Sequence, residues 1–303
     1  FAPVAATVRE ALAGKANGQK KKKKQLPSNS AIQCSRAAIA AALARTTSVP
    51  LPTWVGLTAT ALVSATIAAA MTSSGGQKLQ KSAISSIESL LCHPEATAAE
   101  FVAGQLVSVC AKAIREKDSE GSAAMVLEFV SSKLPTSGRL AVVPMLLACA
   151  ARNAARAAGL RAAAATAIHA FGALVGVLEG CSDASVASAV ARGCSAMTSV
   201  GPDSAEVFAA HSALLSLSIG TLHGLDPSSS ASLLPSAVAL LTPALSYSGP
   251  CAQAACQSLR EILRAAVDEP LVKSARETAS SPLGSAIATI SELLAYRNRA
   301  TWE

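Results

Sequence analysis

Large aromatic side chains are nearly missing from this chain. Its 303 residues include two tryptophans, two tyrosines and five phenylalanines. That scarcity excludes a base-stacking platform for single-stranded nucleic acid, which needs aromatic faces at regular intervals. It also removes much of the shaped apolar surface that lines small-molecule pockets. Charge is thin as well, at 15% of residues. No Gly-x-Gly-x-x-Gly, Gly-x-x-x-x-Gly-Lys-Ser/Thr, Gly-x-Ser-x-Gly or His-Glu-x-x-His pattern occurs, so dinucleotide, P-loop, serine-hydrolase and zinc-protease chemistry have no sequence support. The expectation is a chain that is not an enzyme and holds no cofactor.

The possible metal and thiol groups are dispersed. Eight cysteines stand at 34, 92, 110, 149, 181, 194, 251 and 256, none in a Cys-x-x-Cys pair. Most fall inside apolar helical patterns and read as reduced, buried thiols acting as small hydrophobes. Residues 1–14, FAPVAATVREALAG, lack the long apolar stretch of a secretory signal, so a disulfide framework is not expected. The histidines at 93, 169, 211 and 223 are isolated. His169 in TAIHAFGAL and His211 in FAAHSALL read as buried, hydrogen-bonded side chains. Cys92-His93 is adjacent rather than at ligand spacing, and no metal site is expected. The acids Glu116, Asp118 and Glu120, in REKDSEGS, read as a solvated turn between helices.

What the chain does have is alanine, about a fifth of all residues. Alanine and leucine favour helix, and their patterns repeat. Asp183, Asp226 and Asp268 each open an alanine/leucine segment at spacings of 43 and 42. An Asp or Ser oxygen accepts from the orphan N–H groups of a helix start, and Pro fits the first turn. Gly201-Pro202 and Gly249-Pro250 separate further helical patterns 48 residues apart. The same step backwards reaches Ser137, Glu95 and Thr53, all after Pro-containing breaks. Units of helix, turn and helix are therefore predicted to begin near 53, 95, 137, 182, 226 and 268. Their second helices are predicted over 78–91, 120–134, 160–179, 203–222, 250–266 and 283–297. Ile84, Ile87, Leu90 and Leu91 show the helical spacing in the first of these, and Leu259, Ile262, Leu263 and Val267 in the fifth.

Paired helices at this period resemble α-solenoids of the HEAT or armadillo type, and organellar helical-repeat proteins. The resemblance lies in period and pattern over 53–303. It implies an all-α, right-handed α-solenoid of about six helix-turn-helix units with a basic N-terminal extension. Residues 1–30 form the arm and linker, 31–52 a capping helix and Pro-containing connector, and 53–303 the repeat domain. No single helix pair buries its own apolar stripe, but stacked neighbours bury a continuous one.

The charge is uneven. Residues 1–45 hold nine Lys/Arg against one acid, and 46–303 hold seventeen against eighteen. Lys20, Lys21, Lys22, Lys23 and Lys24, in GQKKKKKQLP, carry most of the excess. Such a run attracts phosphate through counterion release and is expected to contact rRNA. Two arginine pairs at helical i, i+4 spacing, Arg152 with Arg156 and Arg260 with Arg264, are further candidate phosphate contacts. Between Arg45 and Lys78 lie 32 uncharged residues, with an 18-residue apolar heart from Trp54 to Met71. This is either the buried first helix of a unit or a membrane span with the basic arm on the positive-inside face.

These readings converge on a non-catalytic scaffold subunit of a large organellar assembly, in the mitochondrial matrix. The expected assembly is the mitochondrial ribosome, with the arm on rRNA and the repeats docking neighbouring proteins or RNA. No small-molecule substrate is expected. The first alternative is an accessory subunit of an inner-membrane complex, such as a respiratory complex or ATP synthase, spanning the bilayer near 54–71. The second is a soluble armadillo-type adaptor.

Overall fold

In the computed structural model the described residues are 67, 70–71, 77–92, 96–116, 119–198, 201, 204–247 and 249–267. Among them the chain is all-helical, with no strand. The nine α-helices are α1 (Gln77–Leu91), α2 (Ala96–Arg115), α3 (Glu120–Val130), α4 (Thr136–Arg156), α5 (Arg161–Leu178), α6 (Ala184–Ala196), α7 (Ala205–Leu225), α8 (Pro227–Leu241) and α9 (Pro250–Val267). Short 3-10 turns, Ser131–Lys133 and Thr242–Ser246, extend α3 and α8. The helices predicted over 78–91, 120–134, 160–179, 203–222 and 250–266 are α1, α3, α5, α7 and α9. The lysine run, the predicted capping helix and connector over 31–52, Trp54, Asp268 and the helix predicted over 283–297 lie outside the described residues.

The chain divides into two compact units, Phe1–Ser89 and Leu90–Glu303. In the first, Ala83, Ile84 and Ile87 form the buried stripe of α1 at three- and four-residue steps. Gln80 Nε2 donates to the Ala70 carbonyl at 3.0 Å. Ile67 and Ala70 are buried and Met71 is half-buried, at the end of the long uncharged stretch.

The second unit holds α2 to α9, packed as two rows. Helices α2, α4, α6 and α8 touch in succession, and so do α3, α5, α7 and α9. Each member of the first row also packs on the helix that follows it, giving the pairs α2–α3, α4–α5, α6–α7 and α8–α9. The buried core is rich in leucine, alanine and valine, with Phe171 and Phe208 its largest fully buried side chains. Leu106, Leu127, Leu146, Leu174, Leu214 and Leu222 are fully buried, and so are Ala124, Ala150, Ala170, Ala187, Ala237 and Ala255. Burying each leucine contributes about 1.5–3 kcal/mol, and the alanines let neighbouring axes approach closely.

The helix boundaries follow from caps. Asp183 Oδ1 accepts from the Ser185 N–H at 2.8 Å and opens α6. Asp226 Oδ1 accepts from the Ser229 N–H at 3.2 Å and opens α8, with Pro227 in its first turn. Gly180, just after α5, and Gly249, just before α9, have φ of 61° and 85°, in the left-handed region that disfavours a Cβ. Proline does not always break a helix here. Pro144 sits inside α4 and Pro235 inside α8. Pro144 is exposed, so the hydrogen bond it removes lies on the solvent side.

Candidate interaction surface and polar ties

The first arginine pair is committed to protein contacts. Arg152 and Arg156 lie in the C-terminal half of α4, and both reach Glu120 at the start of α3. Arg152 Nη2 donates to Glu120 Oε2 at 2.5 Å, and Arg156 Nη1 stands 3.7 Å from Oε1. Arg152 Nη2 also donates to the Ile114 carbonyl near the end of α2 at 3.0 Å. One guanidinium therefore joins three helices. Glu120 is only 7% exposed, while each arginine side chain keeps 46% of its surface in solvent. The expected solvated turn is thus corrected at this residue. Glu120 begins α3, where the helix dipole favours a carboxylate, and its charge is buried because two cations cover it. Glu116 remains exposed in the turn, and Asp118 lies outside the described residues.

The second pair is different. Arg260 and Arg264 are exposed on α9, and neither forms an ion pair among the described residues. The acid between them, Glu261, accepts from Ser216 Oγ of α7 at 2.9 Å and from Gln257 Nε2 at 3.2 Å. Spacing in sequence does not distinguish the two pairs. What separates them is a carboxylate 32 residues before Arg152, with no ion-pair partner for Arg260 among the described residues.

The two helical histidines also differ. His211 is buried, stacks on Phe171 with ring centroids 5.5 Å apart, and meets the Cys194 carbonyl at 3.0 Å through Nε2. A carbonyl only accepts, so Nε2 carries the proton. Burial holds the pKa of His211 below its ordinary value, the Cys194 bond opposing this more weakly. His169 departs from the expected burial. It is 35% exposed, and its Nδ1 lies 2.6 Å from Glu128 Oε2, across the α3–α5 junction. That junction is tight because glycines line it. A Cβ at Gly172 would collide with the Glu128 carboxylate, and one at Gly176 with the Ser131 hydroxyl.

Arg139 was not legible as a functional residue. From the first turns of α4 its guanidinium donates to four carbonyls: Leu134 at 2.9 Å, and Ser132, Val177 and Glu179 at 2.7 Å each. It closes the orphan carbonyls at the end of α5 and the turn after α3 at once. The one sequence signal was a cation near a helix N-terminus, where the dipole disfavours it. A cleft of about 150 Å³ beside it is lined by Thr136, Arg139, Cys181, Ser182 and Asp183 among others. That volume is below the roughly 300–1,000 Å³ of most ligand pockets.

None of the seven described cysteines forms a disulfide. Cys110, Cys149, Cys194 and Cys251 are buried as expected, Cys181 and Cys256 are half-buried, and Cys92 is exposed. Burial pushes the Cys110 and Cys194 thiols up to about 12. Burial, assisted by the Glu120 charge, pushes Cys149 up to about 11. Such thiols are poor nucleophiles at neutral pH. Among the described residues no group of three or more His, Cys, Asp or Glu side chains is arranged to hold a metal ion.

Three helical stretches, Arg161–Leu178, Ala205–Leu225 and Pro227–Ser246, are long and apolar enough to cross a membrane by length and composition. Each belongs to one of the two rows, where neighbouring helices bury part of it. Against protein-family models, curated proteins and solved structures, the chain has no match.

Proposed function

We propose that the chain is a non-catalytic α-solenoid scaffold subunit of a large organellar assembly. The observation that carries this reading is the pair of helix rows, in which each helix touches its hairpin partner and the next helix of its own row. Right-handed stacking of helix-turn-helix units builds such rows and leaves long outer faces free for partners. A scaffold role fits the buried thiols Cys110 and Cys194, whose pKa values burial raises, and His211, which is held by a carbonyl and a ring. The assembly we assign is the mitochondrial ribosome, in the matrix, with Lys20 to Lys24 on rRNA. The charge surplus concentrated in residues 1–45 supports this.

The test is co-sedimentation with ribosomal subunits from mitochondria, with and without RNase. The chain is expected to travel with the subunits and to be released by RNase. Deleting residues 15–30 is expected to weaken RNA binding and flatten its salt dependence. Unchanged affinity and slope after that deletion would exclude the arm as the RNA contact.

A second reading, an accessory subunit of an inner-membrane complex, is supported by the three apolar stretches at 161–178, 205–225 and 227–246. Carbonate extraction separates the two. Retention in the membrane pellet favours the second reading and excludes the ribosomal one.

A further inference from the structure

The outer face of the row α3, α5, α7 and α9 carries a line of exposed side chains. Phe129 is 53% exposed, Val175 39% and Leu217 42%. Arg260 and Arg264 are exposed on the next helix.

Cross-helix contacts fix the heights of these residues. Glu128 meets His169 and lies over Gly172, and Ser131 lies over Gly176, which sets α3 against α5. Phe171 stacks on His211, which sets α5 against α7. Ser216 donates to Glu261, which sets α7 against α9. At about 1.5 Å per helical residue, Leu217 comes level with the midpoint of Arg260 and Arg264, Val175 falls about 3 Å below it and Phe129 about 6 Å below, so the residues rise obliquely across the row. They form a line crossing four parallel helices.

The line has a direction. Glu128, beside Phe129, is engaged by His169 Nδ1 at 2.6 Å. At the other end Arg260 and Arg264 have no ion pair among the described residues, and the carboxylate between them is held by Ser216 and Gln257. Between the ends, α5 has Arg161 at its first position as its one Lys, Arg, Asp or Glu, and α7 has Glu206 near its start. A phosphate chain crossing α5 and α7 would find no counter-charge at this height. An apolar segment needs none there, and its far end would meet two cations.

Resting on the scaffold reading, we propose that this line docks an extended segment of a partner protein, with apolar side chains on Phe129, Val175 and Leu217 and carboxylates on Arg260 and Arg264. Helix axes stand about 8–10 Å apart. A segment in the extended polyproline II form advances about 3.1 Å per residue with three residues per turn, so every third side chain points to the same face. The segment therefore presents one apolar side chain about every third residue, then acids about three residues beyond the last.

The test uses the purified full chain and fluorescein-labelled 14-residue peptides. One has leucine at positions 2, 5 and 8 and glutamate at 11 and 12, with serine and threonine elsewhere. A second has lysine at 11 and 12, and a third has leucine at every second position. The first is expected to bind saturably and at least tenfold tighter than either control. Leu217→Asp is expected to weaken it at least tenfold, while Leu140→Asp, at an exposed leucine of α4, leaves it unchanged. Arg260→Glu with Arg264→Glu is expected to reverse the preference toward the lysine peptide. That variant lies wholly on the surface and keeps the test valid where Leu217→Asp does not fold. Absence of saturable binding, an unreversed charge preference, or equal loss from Leu140→Asp overturns the proposal. So does a wild-type dimer that Leu217→Asp dissociates, or flotation with phosphatidylserine vesicles that Leu217→Asp abolishes. If the peptides fail while the chain still co-sediments with its assembly, only the docking line is wrong. If the chain sediments alone, the scaffold reading itself is wrong.

Discussion

The two halves of the described helices α2 to α9 are joined by different chemistry. From α2 to α5 the ties are charged and reach far along the chain. Glu120 holds Arg152 and Arg156, Glu128 holds His169, and Arg139 gathers four carbonyls. From α6 to α9 no ion pair occurs among the described residues. Apolar burial, aspartate caps and the Ser216–Glu261 bond serve instead. The same fold can therefore hold its helices with or without long-range charge. In the half that does without, Arg260 and Arg264 are exposed and form no ion pair among the described residues.

The largest expected effect is the removal of a charged tie. Arg152→Ala leaves the buried Glu120 carboxylate with only Arg156, at 3.7 Å, and frees the Ile114 carbonyl. Stranding a buried charge is costly, and the exposure of both arginines moderates the loss to about 2–3 kcal/mol. Urea unfolding monitored by circular dichroism measures it. A change under about 0.5 kcal/mol would mean that the first half depends on its charged ties no more than the second does.

Glycine substitutions sharpen the comparison at the α3–α5 junction. Gly176→Ala drives a methyl into the buried Ser131 hydroxyl, with the Ser132 backbone nitrogen at 3.4 Å behind it. The net loss is expected to be about 1–2 kcal/mol, overpacking exceeding the gain in helix propensity. Gly104→Ala in α2, where a new Cβ meets nothing within 4 Å, should instead stabilise by about 0.5–1 kcal/mol. Thermal unfolding of the two variants is expected to move in opposite directions.

Acid acts on the second half by a smaller amount. Asp226 is held down to about 2, chiefly by the hydroxyl and N–H groups of Ser228 and Ser229, and Asp183 is lowered by Ser185. For a depressed carboxylate the stabilising contribution is complete above the unfolded value, about 3.9, and fades as pH falls through the folded value. Asp226→Asn removes that contribution. Wild type and variant should therefore differ in melting temperature above about pH 4 and converge toward pH 2. A constant difference across that range would show that the aspartate acts through packing instead of charge.

The helical rows were legible because they rest on short-range signals. Asp183 and Asp226 cap where the sequence places helix starts, and second helices fall where apolar spacing predicts them. The polar ties were not legible because they depend on residues 32 to 45 apart that meet only once the rows stack. Glu120 is the clearest case. Its neighbours in REKDSEGS are polar, so local composition reads as a solvated turn, while its burial is decided by α4. Arg139 is similar: nothing near it in sequence announces the carbonyls of Val177 and Glu179. The i, i+4 arginine pairs show the same limit, since identical spacing led to a buried carboxylate in one case and to open solvent in the other.

The smallest expected effect on stability is the one with most bearing on function. Arg260→Ala with Arg264→Ala removes two exposed cations that have no ion pair among the described residues. Surface changes of this kind stay within about 0.5 kcal/mol. If unfolding shows that, the contrast with Arg152→Ala separates arginines that hold the fold from arginines that do not. A loss above about 1.5 kcal/mol would give Arg260 and Arg264 a structural tie of their own and erase the difference between the halves. A near-zero loss in stability, with unchanged helicity, makes any accompanying loss of partner binding a property of the surface, because the fold beneath it is intact.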